Sequence, residues 1–151
     1  RDEPMSQRER LQISTHDTWP REAAAVVDLG LDTHNNTAAP LQDVQALACI
    51  AQAADGSVRG GAMGRTWGQC CELQQLWVDE TLRLQGQGRR LMQAFEQAAM
   101  ARGCTTFYLD TFSFQAQAFY RALGYEVVLT LAGYTGGVEK YTMVKHLSPS
   151  L

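Results

Sequence analysis

Arg83-Leu84-Gln85-Gly86-Gln87-Gly88-Arg89-Arg90-Leu91-Met92 sets two glycines one residue apart, between arginines, directly ahead of an apolar helical pattern. A glycine-rich strand-to-helix turn of this kind aims backbone N–H groups and the helix dipole at a phosphate, because a chain without side chains can come close to the anion. A nicotinamide-dinucleotide turn would need a third glycine where Leu91 stands, and a Walker loop would need Gly-Lys-Ser/Thr, which does not follow. The bland alternative is a pair of glycines that only permits a tight turn. The flanking sequence decides between them.

Upstream, Cys70 to Val78 reads as a strand ending in the apolar run Leu76-Trp77-Val78. Before it, Val44 to Ala53 is apolar and alanine-rich, so its periodicity suits strand or helix. Asp55-Gly56 settles it as the first strand of a hairpin, with Val58 to Trp67 as its partner. Downstream, Leu91, Met92, Phe95, Ala98 and Ala99 recur at helical spacing, predicting a helix from about Gly86 to Arg102 that Gly103 ends. Phe107 to Thr111 then reads as a strand and Gln115 to Leu123 as a helix closed by Gly124. Tyr125 to Leu131 and Val138 to Lys145 are two last strands around a glycine-bearing loop, residues 132 to 137. At the other end, Leu11 to Ser14 alternates like a short strand. Thr18-Trp19-Pro20-Arg21-Glu22 opens a helix running through Ala23 to about Leu31, and Asp32 to Pro40 follows as a polar loop. The order is strand, helix, three strands, helix, strand, helix, two strands. It predicts an α/β fold: one mixed parallel and antiparallel twisted sheet flanked by helices.

The 151 residues suit one domain with its own core, so residues 1–151 are expected to form a single domain. The four residues ahead of Met5 read as a remnant before a natural start at Met5-Ser6. A net charge of −3, with no local basic patch, argues against a nucleic-acid partner. Cys49, Cys70, Cys71 and Cys104 form no CxxC pair and no histidine-interleaved set, so reduced thiols and no metal site are expected. No run approaches the ~18 apolar residues of a membrane span and no signal segment opens the chain, which predicts no membrane partner and a cytoplasmic location.

Leu76-Trp77-Val78, five residues, and then Arg83-x-x-Gly86-x-Gly88 before an amphipathic helix resembles the Q/R-x-x-G-x-G/A signature of the GNAT superfamily of N-acetyltransferases. The run from Asp110 to Tyr125, with Phe119-Tyr120 and then Gly124-Tyr125, is similar to the family's second signature, and Gly60-Gly61 to its third strand. Together these cover roughly residues 44 to 145; the first 40 resemble the opening strand and helix of a small-substrate acetyltransferase more loosely. Two positions depart from the pattern: Leu84 where glycine is frequent, and Ser113 where asparagine is frequent.

The resemblance implies acetyl-coenzyme A as co-substrate and direct acetyl transfer to an amine in a ternary complex. It places the pyrophosphate on Arg83, Leu84, Gln85, Gly86, Gln87, Gly88 and Arg89, held by main-chain N–H groups from about Leu84 to Gly88, with Arg83, Arg89 and Arg90 steering the anion. The backbone of Leu76, Trp77 and Val78 would pair with the pantetheine arm as an added strand would, the Leu76 N–H polarising the thioester carbonyl. Ser113 offers a hydroxyl, and Phe119, assigned to the core, also counts among the cofactor contacts. Transfer to an alkyl ammonium, whose pKa is near ~10, needs a base, and the departing thiolate needs an acid. Glu72, at the spacing of the family's catalytic glutamate, is the candidate base; a solvated strand residue is its competing role. Asp32, His34 and a water relay are rivals. Tyr120 is the candidate acid, weighed against a core-facing aromatic. The acceptor is expected to be a small-molecule amine between the Asp32 to Pro40 loop and the C-terminal strands, with Tyr134 and Glu139 near it. A protein lysine or N terminus, or a non-catalytic acyl-coenzyme A sensor, is the alternative; monomer and homodimer both fit.

Overall fold

Alternating apolar and polar residues from Gln45 onward build a six-stranded sheet in the computed structural model, which describes residues 9–38 and 40–147. The stretch ahead of Met5 lies outside the described residues. The chain divides into two compact units, Arg1–Pro40 and Leu41–Leu151.

In the first unit, α1 (Arg21–Ala38) starts directly after Pro20, whose carbonyl accepts from the Ala24 N–H at 2.8 Å. Two expectations are corrected here. Leu11 to Ser14 forms no strand; its few alternating residues find no partner to complete a ladder. The predicted loop from Asp32 is helical through Ala38. Asp, Asn and Thr each cost a helix only a fraction of a kcal/mol, at most ~0.7, so a polar run alone does not end one. The Thr33 and Thr37 hydroxyls bond back to the Leu29 and His34 carbonyls inside it.

The second unit contains β1 (Gln45–Gln52), β2 (Val58–Trp67), β3 (Cys70–Val78), α2 (Gln87–Ala101), β4 (Thr106–Phe112), α3 (Gln117–Ala122), β5 (Glu126–Leu131) and β6 (Lys140–His146). The sheet order is β1-β2-β3-β4-β6-β5, antiparallel except for β3 and β4, which α2 connects in parallel. Asp55-Gly56 makes the β1–β2 turn as expected: the Asp55 carboxylate accepts from the Ser57 N–H at 2.9 Å, and the Gly56 N–H donates to the Ala53 carbonyl. Helix α3 is shorter than predicted because Gln115 stays in the preceding turn, its side-chain oxygen accepting from the Phe112 N–H at 2.9 Å.

One irregularity shapes the sheet. Met63 pairs with Gln75 and Gly64 with Leu73, so Gln74 is an extra residue on β3. The inward positions shift accordingly, from Cys71 and Leu73 to Leu76 and Val78. Such a bulge bends its strand, and the bend requires Gly64: a Cβ there would run into the Glu72 carbonyl. The parallel pairing of β3 with β4 covers only Cys70–Leu73 against Thr106–Leu109 and ends where the bulge begins. Beyond it β3 pairs with β2 alone and β4 with β6 alone.

Helix α2 covers one sheet face with Leu91, Met92, Phe95 and Ala99, the stripe its spacing predicted. Phe95, Phe107, Met92, Leu109, Met143 and Cys71 are the largest fully buried side chains. A buried Phe, Leu or Met contributes about 1.5–3 kcal/mol each. All four cysteines are free, and burial pushes the Cys71 thiol up to about 12. Among the described residues no helix is long and apolar enough to cross a membrane.

Candidate active site

Where β3 leaves β4, a groove of about 540 Å³ opens toward the N-terminus of α2. It is lined by Leu76, Trp77 and Val78 from β3, by Arg83, Leu84, Gly86, Gln87, Gly88 and Arg89 from the loop and helix start, and by Phe119 and Ala116 from the α3 side. Sequence elements up to 43 residues apart thus share one wall, as the two signatures implied. A neighbouring cavity of about 570 Å³, lined by Cys49, Arg59 and Ala94 among others, shares Val78, Leu82 and Gln87 with the groove. Of the loop residues 84 to 89, whose amides are described next, Gln87 alone lines this cavity, whereas Leu84, Gly86, Gln87, Gly88 and Arg89 all line the groove.

The loop is anchored from below. Arg59 on β2 donates to Asp79 at 3.1 Å and to the Thr81 hydroxyl at 2.8 Å, and Asp79 caps the short turn Glu80–Leu82 by accepting from the Thr81 N–H. That last bond, with the Thr81 hydroxyl and Arg59 behind it, holds the Asp79 carboxyl below its ordinary range. After the turn the Arg83 N–H donates to the Glu80 carbonyl, and the Arg90 N–H donates to the Gly86 carbonyl at 3.1 Å. Among the described residues, the amides of residues 84 to 89 between them have no backbone acceptor. Gly86 sits in the left-handed region (φ 78°) as the helix N-cap without any side-chain cap. Leu84 has φ 64°, the one non-glycine with positive φ among the described residues, and its side chain is fully exposed. The backbone there wants the glycine that this chain lacks. Gly88 lies under the Phe119 ring: a Cβ would meet Phe119 Cζ at 3.3 Å.

Glu72 points away from α2, on the face opposite Cys71 and Leu73. It lines an outer cavity of about 330 Å³ with Arg65, Trp67, Gly68, Cys70 and Tyr108, and a smaller one with Gln74, Tyr108 and Asp110. Its carboxylate lies 3.5 Å from Arg65 Nε. Burial, and then the Glu72 charge, push the Tyr108 phenol up. Asp110 accepts from the Thr142 hydroxyl at 2.6 Å and faces Lys140 at 3.5 Å. Phe112, next on that face of β4, packs against Phe114 and edge-on against Tyr134, both at 5.5 Å between centroids.

On the α2 side, Tyr120 is 9 % exposed and belongs to the core cluster, whereas Phe119 is only partly buried. The assignment of Phe119 to the core is therefore reversed: Phe119 forms the groove wall and Tyr120 the buried layer behind it. Desolvation raises the Tyr120 phenol; its hydroxyl makes no hydrogen bond within the described residues, and since no fully buried side-chain polar atom among them lacks a partner, that hydroxyl keeps some exposure.

The structure gathers Leu76, Trp77, Val78, Arg83, Leu84, Gly86, Gln87, Gly88, Arg89 and Phe119 around one groove. Two expected contacts stay outside it. Gln85 turns its amide back to the Thr81 carbonyl at 3.5 Å. The Ser113 hydroxyl accepts from the Glu139 N–H at 3.0 Å while the Ser113 N–H donates to the Glu139 carbonyl. Glu139 thereby contributes main chain to that end of the sheet. Asp32 and His34 lie on helix α1, in the first unit. Tyr108, Asp110, Gln74 and Ala116 were missed. Alternation along Phe107 to Thr111 puts Tyr108 and Asp110 on one face, but only the β3–β4 register brings that face beside Glu72.

The chain is similar in sequence and fold to known proteins. The Acetyltransferase (GNAT) family model matches residues 10–125. Blasticidin-S acetyltransferase of Streptomyces morookaense is 32% identical over 111 residues, covering 73% of this chain and 79% of that protein. The crystal structure of a protein described as an acetyltransferase from Agrobacterium tumefaciens superposes with a TM-score of 0.81 at 26% identity, over 91% of this chain and 100% of that one. An acetyltransferase structure from Bacillus cereus ATCC 14579 gives 0.74 at 24% identity, over 89% and 98%. With a groove, a free-amide loop and a sequence match over the same residues, the chain belongs to the GNAT acetyltransferase family.

Proposed function

We propose that this protein moves the acetyl group of acetyl-coenzyme A to a primary amine of a small molecule, directly and within a ternary complex. The observation that carries this reading is the divergence of β3 from β4 at Leu73–Leu109, with free loop amides on the α2 side of the gap and a carboxylate on the other.

The residues present fit coenzyme A on two counts. The unpaired amides of residues 84 to 89 and the positive end of α2 suit a pyrophosphate. The run Gln74 to Val78, without a β4 partner, suits a pantetheine arm bonded as an added strand. Acetyl-coenzyme A supplies an acetyl group already activated as a thioester. Leu76, on the unpaired run, is assigned the N–H that meets the carbonyl oxygen as negative charge gathers there. Glu72 takes the proton from the acceptor ammonium on the outer face, directly or through water. Tyr120 gives its phenolic proton to the departing sulfur from the α2 side; desolvation keeps that proton in place at neutral pH. Acid and base on opposite faces of the sheet both act through the one gap between β3 and β4.

The acceptor is placed on the Glu72 face, along Tyr108, Asp110 and Phe112 and under Tyr134. The similarity to a blasticidin-S acetyltransferase supports a small-molecule acceptor over a protein lysine or N terminus. The test is thiol release from acetyl-coenzyme A with a panel of small primary amines and lysine peptides, on wild type, Glu72→Gln and Tyr120→Phe. Turnover of small amines, lowered about 10²-fold or more in each variant, is expected. Coenzyme A binding without turnover on any amine would identify a sensor instead, and turnover of peptides alone would move the acceptor class.

A further inference from the structure

Tyr120 and Tyr125 face each other edge-on, 6.0 Å between ring centroids, yet their phenols differ in kind. Tyr120's has no partner among the described residues. Tyr125's donates to Glu96 Oε2 at 2.8 Å, and the other oxygen of Glu96 accepts from Lys145 Nζ at 2.7 Å. Lys145 also lies 5.7 Å from the Tyr125 ring centroid. The three residues come from α2, from the turn after α3 and from β6, and all are largely buried. The main chain adds to the connection: the Tyr125 and Leu123 N–H groups both donate to the Tyr120 carbonyl. On its other side Tyr120 meets Phe119 at 5.2 Å.

A six-residue helix is too short to orient a side chain by itself. Tyr120 is held instead between two rings, and only one of them is tied by hydrogen bonds to the sheet and to α2. We infer that Tyr125, fixed by Glu96 and Lys145, is a positioning residue that holds the Tyr120 ring in the rotamer from which its hydroxyl reaches the gap between β3 and β4. This rests on Tyr120 being the proton donor proposed above. Removing the Tyr125 hydroxyl leaves its ring free to tilt, and a displacement of about 1 Å at a reacting group costs up to about 10²-fold in rate.

The test is a double-variant cycle, with acetyl-coenzyme A and the panel amine that turns over fastest. Tyr125→Phe is expected to lower kcat about tenfold and leave KM for acetyl-coenzyme A within about twofold. In a Tyr120→Phe background the same change is expected to cost nothing further, because there is no hydroxyl left to position. Glu96→Gln, which keeps an acceptor for the Tyr125 hydroxyl, should show a smaller loss of the same non-additive kind. A second readout needs no turnover: NMR of the free, tyrosine-labelled protein should show one Tyr120 ring environment in wild type and an averaged one in Tyr125→Phe. Wild-type kcat in Tyr125→Phe, losses that multiply in the double variant, or an unchanged Tyr120 signal would each overturn the positioning role alone. Undiminished turnover in Tyr120→Phe itself, or no turnover on any amine, would remove the proton-donor reading and this inference together. Stabilisation of each variant by coenzyme A reports that it is folded.

Discussion

Gly88→Val isolates what the groove does from what the fold needs. A Cβ at Gly88 would stand 3.3 Å from Phe119 Cζ, 3.5 Å from Cε2 and 3.9 Å from Val78 Cγ2. Alanine therefore asks the Phe119 ring to give by a few tenths of an ångström. Valine adds two methyls in the same crevice and drives the ring off the groove wall. Replacing glycine in the first turn of α2 regains about 0.5–1 kcal/mol of backbone entropy, and overpacking costs about 1–3 kcal/mol. The net loss of stability is thus about 0–2.5 kcal/mol, which a core of this size survives. Coenzyme A meets both the displaced ring and a main chain it can no longer approach, so its affinity should fall at least about tenfold, or 1.4 kcal/mol. Calorimetric titration of coenzyme A into the folded variant measures this directly. Adding Phe119→Ala should return part of the loss, since the clash then has no partner. Unchanged affinity in folded Gly88→Val would refute the placement of the cofactor in this groove.

The other predictions follow from neighbouring features. Leu84→Gly relieves about 1 kcal/mol of left-handed strain and adds about 0.5–1 kcal/mol of unfolded-state entropy. Urea stability should stay within about 1 kcal/mol and coenzyme A affinity should hold or rise; a large loss of affinity would mean the exposed Leu84 side chain contacts the ligand. Gly64→Ala drives a Cβ into the Glu72 carbonyl at the bulge and should cost about 3 kcal/mol; a cost below about 1 kcal/mol would show that the bulge does not depend on this glycine. Stability should be level from neutral pH to about pH 9 and fall as pH rises toward 12. The Cys71 thiol titrates at 9.0 when unfolded and near 12 when folded, and the Tyr120 and Tyr125 phenols are raised above 10.0 by burial, so the unfolded state sheds protons first. Cys71→Ala should flatten that alkaline slope, and an unaltered slope would contradict the assignment to Cys71.

From Gln45 onward the elements were legible because local signals and tertiary needs agree. Asp55-Gly56 sits in the turn, the stripe Leu91, Met92, Phe95, Ala99 faces the sheet, and Gly103 follows the helix end. The misreadings have identifiable causes. Polar composition over Asp32 to Ala38 reads as a loop, although no glycine or proline stands between Asp32 and Pro40 to end the helix. Gln74 carries no mark of a bulge in its own identity; the bulge exists only in the register of β2 against β3, and so does the face shared by Glu72, Tyr108 and Asp110. For Phe119 and Tyr120, helical spacing puts both near the core. It does not say which ring slides over Gly88 and which packs on Tyr125. Ser113 was placed by resemblance, and its hydroxyl is engaged by the Glu139 main chain.

Backbone hydrogen exchange with and without saturating coenzyme A tests the central claim most directly, because the proposed contacts are main-chain amides. The account predicts new protection confined to residues 84 to 89 and to Gln74 through Val78, where amides now lack a loop acceptor or a β4 partner. Protection that leaves both segments unchanged while coenzyme A is bound would contradict it.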